Sequence, residues 1–229
     1  IQKFQVKISW SKKEAFRRFK VRRKKEIVTM GIPDINPLNK VGTYIESSDW
    51  NDLLSDPETL VIDTRNNYEI RIGTFDGSIN PNIRTFRDFP SWVEKNLKPL
   101  IEKNQSKRIA MFCTGGIRCE KATSYLKEEG FDQVVHLKGG ILKYLEEVSE
   151  ANSRWKGECF VFDQRVALDK KLLPGNHKLC FACGMPLNSN ERKKSSYIKG
   201  VKCEFCEDLF NENDRIRFAE RQRQYDERI

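Results

Sequence analysis

Residues 109–118, Ile-Ala-Met-Phe-Cys-Thr-Gly-Gly-Ile-Arg, decide how the rest of the chain is read. Ile109 to Phe112 is an apolar run of the length of a buried strand, and Glu120 to Glu129 has a helical pattern closed by Gly130. Between them lies the loop Cys113-Thr114-Gly115-Gly116-Ile117-Arg118. Open parallel sheets bind ligands in such loops, at the carboxyl ends of strands. Two glycines let backbone N–H groups turn toward one point, the next helix adds its positive end, and Arg118 adds a fixed charge. A cradle of this kind lowers a thiol pKa and favours the nucleophilic thiolate, so Cys113 is the candidate catalytic group. A cysteine at a strand end is otherwise commonly a small core residue; the glycine pair and the arginine set this one apart. Cys119 reads either as a resolving thiol or as a core residue on the first helical turn.

Working outward, the same alternation recurs. Leu60-Val61-Ile62 is a short buried strand running into Asp63-Thr64-Arg65, and Asp63 with Arg65 is expected to form a structural pair beneath the loop. Val134 to Leu137 is another strand, followed by Gly139-Gly140 and a helix through Leu145. A helix is expected to open at Ser48-Asp49-Trp50 with Ser48 as N-cap, and another to run from Phe89 to Ile101. Short strands alternating with helices give an α/β domain, a mainly parallel sheet flanked by helices, over residues 46–150. Residues 1–45 read as a basic arm with a short strand, 151–175 as a connector, and 176–229 as a small cysteine module with a charged tail. The chain opens at Ile1, so a longer protein with a preceding domain is expected.

The chain has 229 residues, a net charge of +9 and 33% charged residues. No apolar run approaches the ~18 residues that would span a bilayer, so a membrane partner is not expected. The charge favours an anionic partner, nucleic acid before acidic lipid. Lys20, Arg22, Arg23, Lys24 and Lys25 are candidate phosphate contacts, and Phe16 and Phe19 are candidate stacking rings; a solvated charged strand is the plainer alternative. Cys180-x-x-Cys183 and Cys203-x-x-Cys206, with 19 residues between the pairs, have metal-ligand spacing. Four thiolates close a tetrahedral site and leave no open position, which suits structural zinc; a thioredoxin-type redox pair is the rival. This cysteine usage suits reduced thiols in a cytosol. His177 stands beside the module and is expected at the surface.

The Cys113 loop resembles the active-site loop of the rhodanese superfamily. Val61-Ile62-Asp63-Thr64-Arg65 with Tyr68-Glu69 and Gly73 to Asn80 resembles its first signature, and Val134 to Ile141 its second. Thr74 and Tyr144 depart from the histidine and tryptophan that many rhodaneses carry there. The loop has six residues from Cys113 to Arg118, the sulfurtransferase length; related phosphatases have one more. The runs Lys24 to Gly31, Phe112 to Lys121, Leu137 to Val148 and Gly157 to Asp163 resemble one family more narrowly, the bacterial tRNA uridine hydroxylases. That resemblance implies oxygen-dependent 5-hydroxylation of the wobble uridine of tRNA, and a ferredoxin-like domain preceding this region.

The expectation is therefore a tRNA-modifying oxidoreductase with Cys113 as catalytic group, Arg118 and the loop 114–117 stabilising negative charge, molecular oxygen as co-substrate, structural zinc, and no other evident cofactor. The chain has two histidines, His136 in a core strand and His177 beside the cysteine module, which are not expected to converge on a two-histidine, one-carboxylate iron site, and no dinucleotide fingerprint follows a strand. A plain sulfurtransferase and a non-enzymatic RNA-binding module are the alternatives. Oligomeric state is open.

Overall fold

The computed structural model describes residues 10–12, 14–16, 18, 20–24 and 26–227. Its centre is a four-stranded parallel sheet formed by β1 (Thr43–Ile45), β2 (Thr59–Asp63), β4 (Arg108–Phe112) and β5 (Val134–Leu137), in the order β1-β5-β4-β2. The apolar runs read from sequence are its three inner or long strands. Being buried on both faces, they lack strict polar alternation.

Period-two geometry sends Leu60, Ile62, Ile109 and Met111 to one face, where they pack with Phe89, Val93, Leu97 and Leu126. Val61, Ala110, Phe112, Val135 and Leu137 face the other side, against Trp50, Phe75, Tyr144 and Trp155. The helices supply these layers: α1 (Ser47–Ser55), α2 (Asn67–Ile70), α3 (Phe89–Trp92), α4 (Lys98–Asn104), α5 (Ile117–Glu128) and α6 (Gly140–Glu147). A π-turn over Val93–Leu97 joins α3 to α4, so the expected helix is continuous but not regular. The cap expected of Ser48 belongs to Glu46: helix α1 starts one residue before Ser48, whose hydroxyl bonds the Asp49 carboxylate instead.

The segments flanking the sheet are more integrated than their composition suggests. Strand β1 pairs with β5 inside the sheet, Met30 is buried in the first core, and Lys121 binds Glu26. The core thus draws on residues before 46. The stretch read as a connector contains β6 (Trp155–Gly157), antiparallel to β3 (Gly73–Phe75), and the hairpin β7 (Cys159–Phe160) with β8 (Ala167–Leu168). Trp155 is fully buried, 5.1 Å beneath the Arg65 guanidinium. The C-terminal part holds the small hairpin β9 (Lys178–Leu179) with β10 (Pro186–Leu187), then α7 (Glu212–Asp226). Helix α7 is capped by Asn211 and carries an almost wholly polar surface.

Candidate active site

Cys113 leaves the end of β4 and the chain turns at Gly116, whose φ of 90° favours glycine, directly into α5. Helix α5 therefore begins at Ile117, three residues earlier than its polar pattern indicates. The loop is closed from above by the second signature. The Ile141 amide donates to the Cys113 carbonyl at 2.9 Å and the Leu142 amide to that of Thr114 at 3.1 Å. Gly140 permits this approach: a side-chain carbon there would lie 2.4 Å from the Cys113 carbonyl oxygen. With the carbonyls held outward, the Gly116 amide donates to the Cys113 sulfur at 3.1 Å.

The sulfur is enclosed, the residue being 1% exposed. Burial alone pushes its pKa up. The hydrogen bond from the Cys119 thiol, the charge of Arg118 and the amides of Cys119 and Gly116 outweigh burial and bring it down to about 6. Cys119 is itself buried, 3.5 Å from the Thr64 hydroxyl, and its pKa is raised by burial and by the Cys113 thiol it bonds. It is thus both a core residue and a donor to the neighbouring sulfur.

Arg118 is not a free guanidinium. It makes a bidentate pair with Glu69, at 2.6 and 2.8 Å, and reaches the Thr114 hydroxyl at 3.3 Å. Glu69 is fully buried and also accepts from the Asn66 amide, capping α2. The Arg118 guanidinium lies 5.8 Å from the exposed Phe162 ring, and Thr114 lies 3.5 Å from the Phe160 carbonyl. The β7–β8 hairpin is therefore part of the site's wall. Sequence reasoning singled out neither Glu69 as a partner of Arg118 nor Phe162. Asn66-x-x-Glu69 was visible as a capping-box pattern, but it carries no hint of a second partner.

Asp63 and Arg65 form the expected buried pair at 2.7 Å. Thr74 bonds Asp63 at 2.8 Å, and the Tyr144 hydroxyl bonds Asn51; both departures serve packing. Lys20, Arg22, Arg23 and Lys24 are exposed and make no ion pair among the described residues, and Lys25 lies outside them. His136 is buried in β5 against Tyr44. His177 is not the surface residue expected: its ring is largely covered and Nδ1 lies 2.6 Å from Glu158.

The sulfurs of Cys180, Cys183, Cys203 and Cys206 all lie within 4.8 Å of one another. Two of the separations are 3.7 Å and 3.8 Å, matching the edge of roughly 3.8 Å of a tetrahedron with Zn–S bonds near 2.3 Å. The four sulfurs fit a tetrahedral metal ion. Around them, among the described residues, is a small apolar cluster that includes the buried Leu187, so metal binding would contribute much of the module's folding energy.

A parallel sheet ending in an amide-lined cysteine loop defines the class. The rhodanese-like domain family matches residues 47–147. Over 222 residues the chain is 64% identical to the tRNA uridine(34) hydroxylase of Prochlorococcus marinus strain NATL2A, covering 97% of this chain and 70% of the relative. Over 226 residues it is 63% identical to the protein of the same name from Synechococcus sp. strain CC9605, covering 99% and 69%. The chain belongs to the tRNA uridine(34) hydroxylase family.

Proposed function

We propose that the protein hydroxylates carbon 5 of the wobble uridine of tRNA, with Cys113 as catalytic group and molecular oxygen as the oxygen source. The observation that carries this reading is the Cys113 sulfur itself, held by the Gly116 amide and the Cys119 thiol with its pKa near 6. A thiolate can add to carbon 6 of uracil. The S–C6 bond forms as the C5–C6 π pair moves onto C5 and O4, making C5 electron-rich. Hydroxylation then places one atom of O2 on C5 and releases the other as water, with two electrons and two protons drawn from an external reductant; loss of the C5 proton then expels Cys113 from C6 as the thiolate and restores the C5–C6 double bond. Arg118 and the loop 114–117 would stabilise the negative charge that develops beside the sulfur. Because the sulfur is enclosed, the base would enter where Arg118 and Phe162 form the wall. The cysteine cluster would hold zinc as a structural ion. Lys20, Arg22, Arg23, Lys24 and Lys25 would follow tRNA phosphates, so binding should weaken steeply with salt.

Mass spectrometry of wobble uridine from cells lacking the gene, complemented with wild-type or Cys113→Ser protein, tests the reading. The hydroxyl should be absent without the gene and should return only with wild type. Full hydroxylation with Cys113→Ser would dismiss the mechanism, and a missing sulfur in place of a missing hydroxyl would make the protein a sulfurtransferase.

A further inference from the structure

We infer that the groove between the β7–β8 hairpin, the first Cys-x-x-Cys knuckle and the end of α7 binds unpaired RNA nucleotides, stacking their bases beside the Cys113 loop. The inference rests on the RNA-modifying reading above and supplies the surface that would hold the strand next to the target base.

The groove encloses about 760 Å³, within the range of roughly 300–1,000 Å³ that takes a compact ligand. Its walls are unusual for solvent-facing surface. Phe16, Phe162 and Phe181 converge on it while 65%, 62% and 49% exposed, and Tyr225 stands 6.2 Å from Phe181 at 46°. Exposed rings gathered in one place mark a binding surface more than a folding requirement. Phe181 is the residue between Cys180 and Ala182, so the knuckle that can hold metal also fixes this ring.

The charge on the walls selects the occupant. Lys178, Arg192 and Lys199 line the groove. Lys199 is paired with Asp226 at 2.7 Å, whereas Lys178 has no carboxylate partner among the described residues and Arg192 donates to the carbonyls of Asn188 and Asn176. The acidic lining residue, Asp163, is already paired with Arg165. Aromatic faces beside Lys178 and Arg192, two cations without a carboxylate partner among the described residues, suit a phosphate backbone with unstacked bases. An apolar peptide would leave the cations unmatched.

The groove is continuous with the site, because the Phe162 ring that lines it also faces the Arg118 guanidinium. The hairpin carrying Phe162 is held in a costly shape. Val166, a buried β-branched residue, has φ of 68°, a strained conformation that concentrates at functional sites.

The test uses full-length protein and a fluorescein-labelled RNA stem-loop carrying the anticodon loop, read by anisotropy. Phe181→Ala should weaken binding about tenfold, as loss of one stacking platform does. Phe181→Tyr should restore it and Phe181→Leu should not. Lys178→Glu should weaken binding and reduce the slope of log affinity against log salt. Bound zinc and the alkylation rate of Cys113 report that each variant is folded, and both should match wild type. Affinities of Phe181→Ala and Lys178→Glu within twofold of wild type would overturn the inference, leaving the groove to another part of the chain or to a protein. The two readings fail separately. Wild type that binds the stem-loop through Phe181 but leaves wobble uridine unmodified would sink the hydroxylase reading alone.

Discussion

Glu69 shows how much one buried carboxylate can organise. It caps α2 and holds both arms of Arg118 beneath the Cys113 loop. Removing it in Glu69→Ala would leave a guanidinium buried without a counter-charge, which costs on the order of 3–5 kcal/mol; thermal unfolding should show a large drop. Cys113 makes a prediction of opposite character. With its pKa near 6, its alkylation by iodoacetamide should rise through pH 6 and level off above it, whereas an ordinary thiol is still gaining reactivity near about 8.5. A midpoint near 8.5 would show that the amides and Arg118 do not hold the thiolate. Since the folded pKa is the lower one, ionisation favours the native state: this stability is full above about pH 8.5 and is lost as pH falls through about 6. Cys113, Arg118 and the glycines were legible in the sequence because their chemistry is local, six consecutive residues between a strand and a helix. Glu69 was not, because nothing in its own neighbourhood indicates an arginine 49 positions away.

At the scale of elements, β5 carries a liability. His136 lies wholly buried in it, its ring against Tyr44 and neither nitrogen bonded among the described residues. Burial lowers its pKa to about 4, below the unfolded value of roughly 6.5. Its contribution to stability is therefore full above about pH 6.5 and is lost as pH falls through about 4. Between those limits the folded protein should lose up to about 1.4 kcal/mol per pH unit. Urea unfolding of His136→Leu against wild type checks this: the variant should lack that part of the pH slope, and identical slopes would refute the account. The strands were readable because fully buried parallel strands are short apolar runs. The start of α5 and the register of β6 on β3 were not: the first depends on the φ of Gly116, and the second on Trp155 finding Arg65 across ninety residues of sequence.

For the whole molecule, composition indicated the parts better than their joins. The cysteine pairs announced a module, and the four sulfurs lie as that spacing requires. The boundaries were blurred because charge and loop residues say little about what a segment packs against. Met30 and Trp155, one in the supposed arm and one in the supposed connector, are both core residues. Chelation should release one zinc per chain and unravel the Cys180–Cys206 module while the parallel sheet retains its own cooperative transition. A chain with no bound zinc that is unaffected by chelator would remove the structural ion from the account.

Arg71 ties the two ends of this molecule together. It follows α2, one residue beyond the end of the helix that Glu69 caps, yet its side chain binds Glu191 and the Pro186 carbonyl and lies 4.5 Å over the Phe205 ring, between the third and fourth cysteines. A metal ion that fixes Phe205 thereby bears on the helix that seats Arg118. Thermodynamic linkage makes such an influence run both ways: stripping the ion should shift the pH at which Cys113 becomes reactive, and alkylating Cys113 should change how tightly the ion is held. Metal supply would then set the tempo of a reaction in which the metal takes no chemical part.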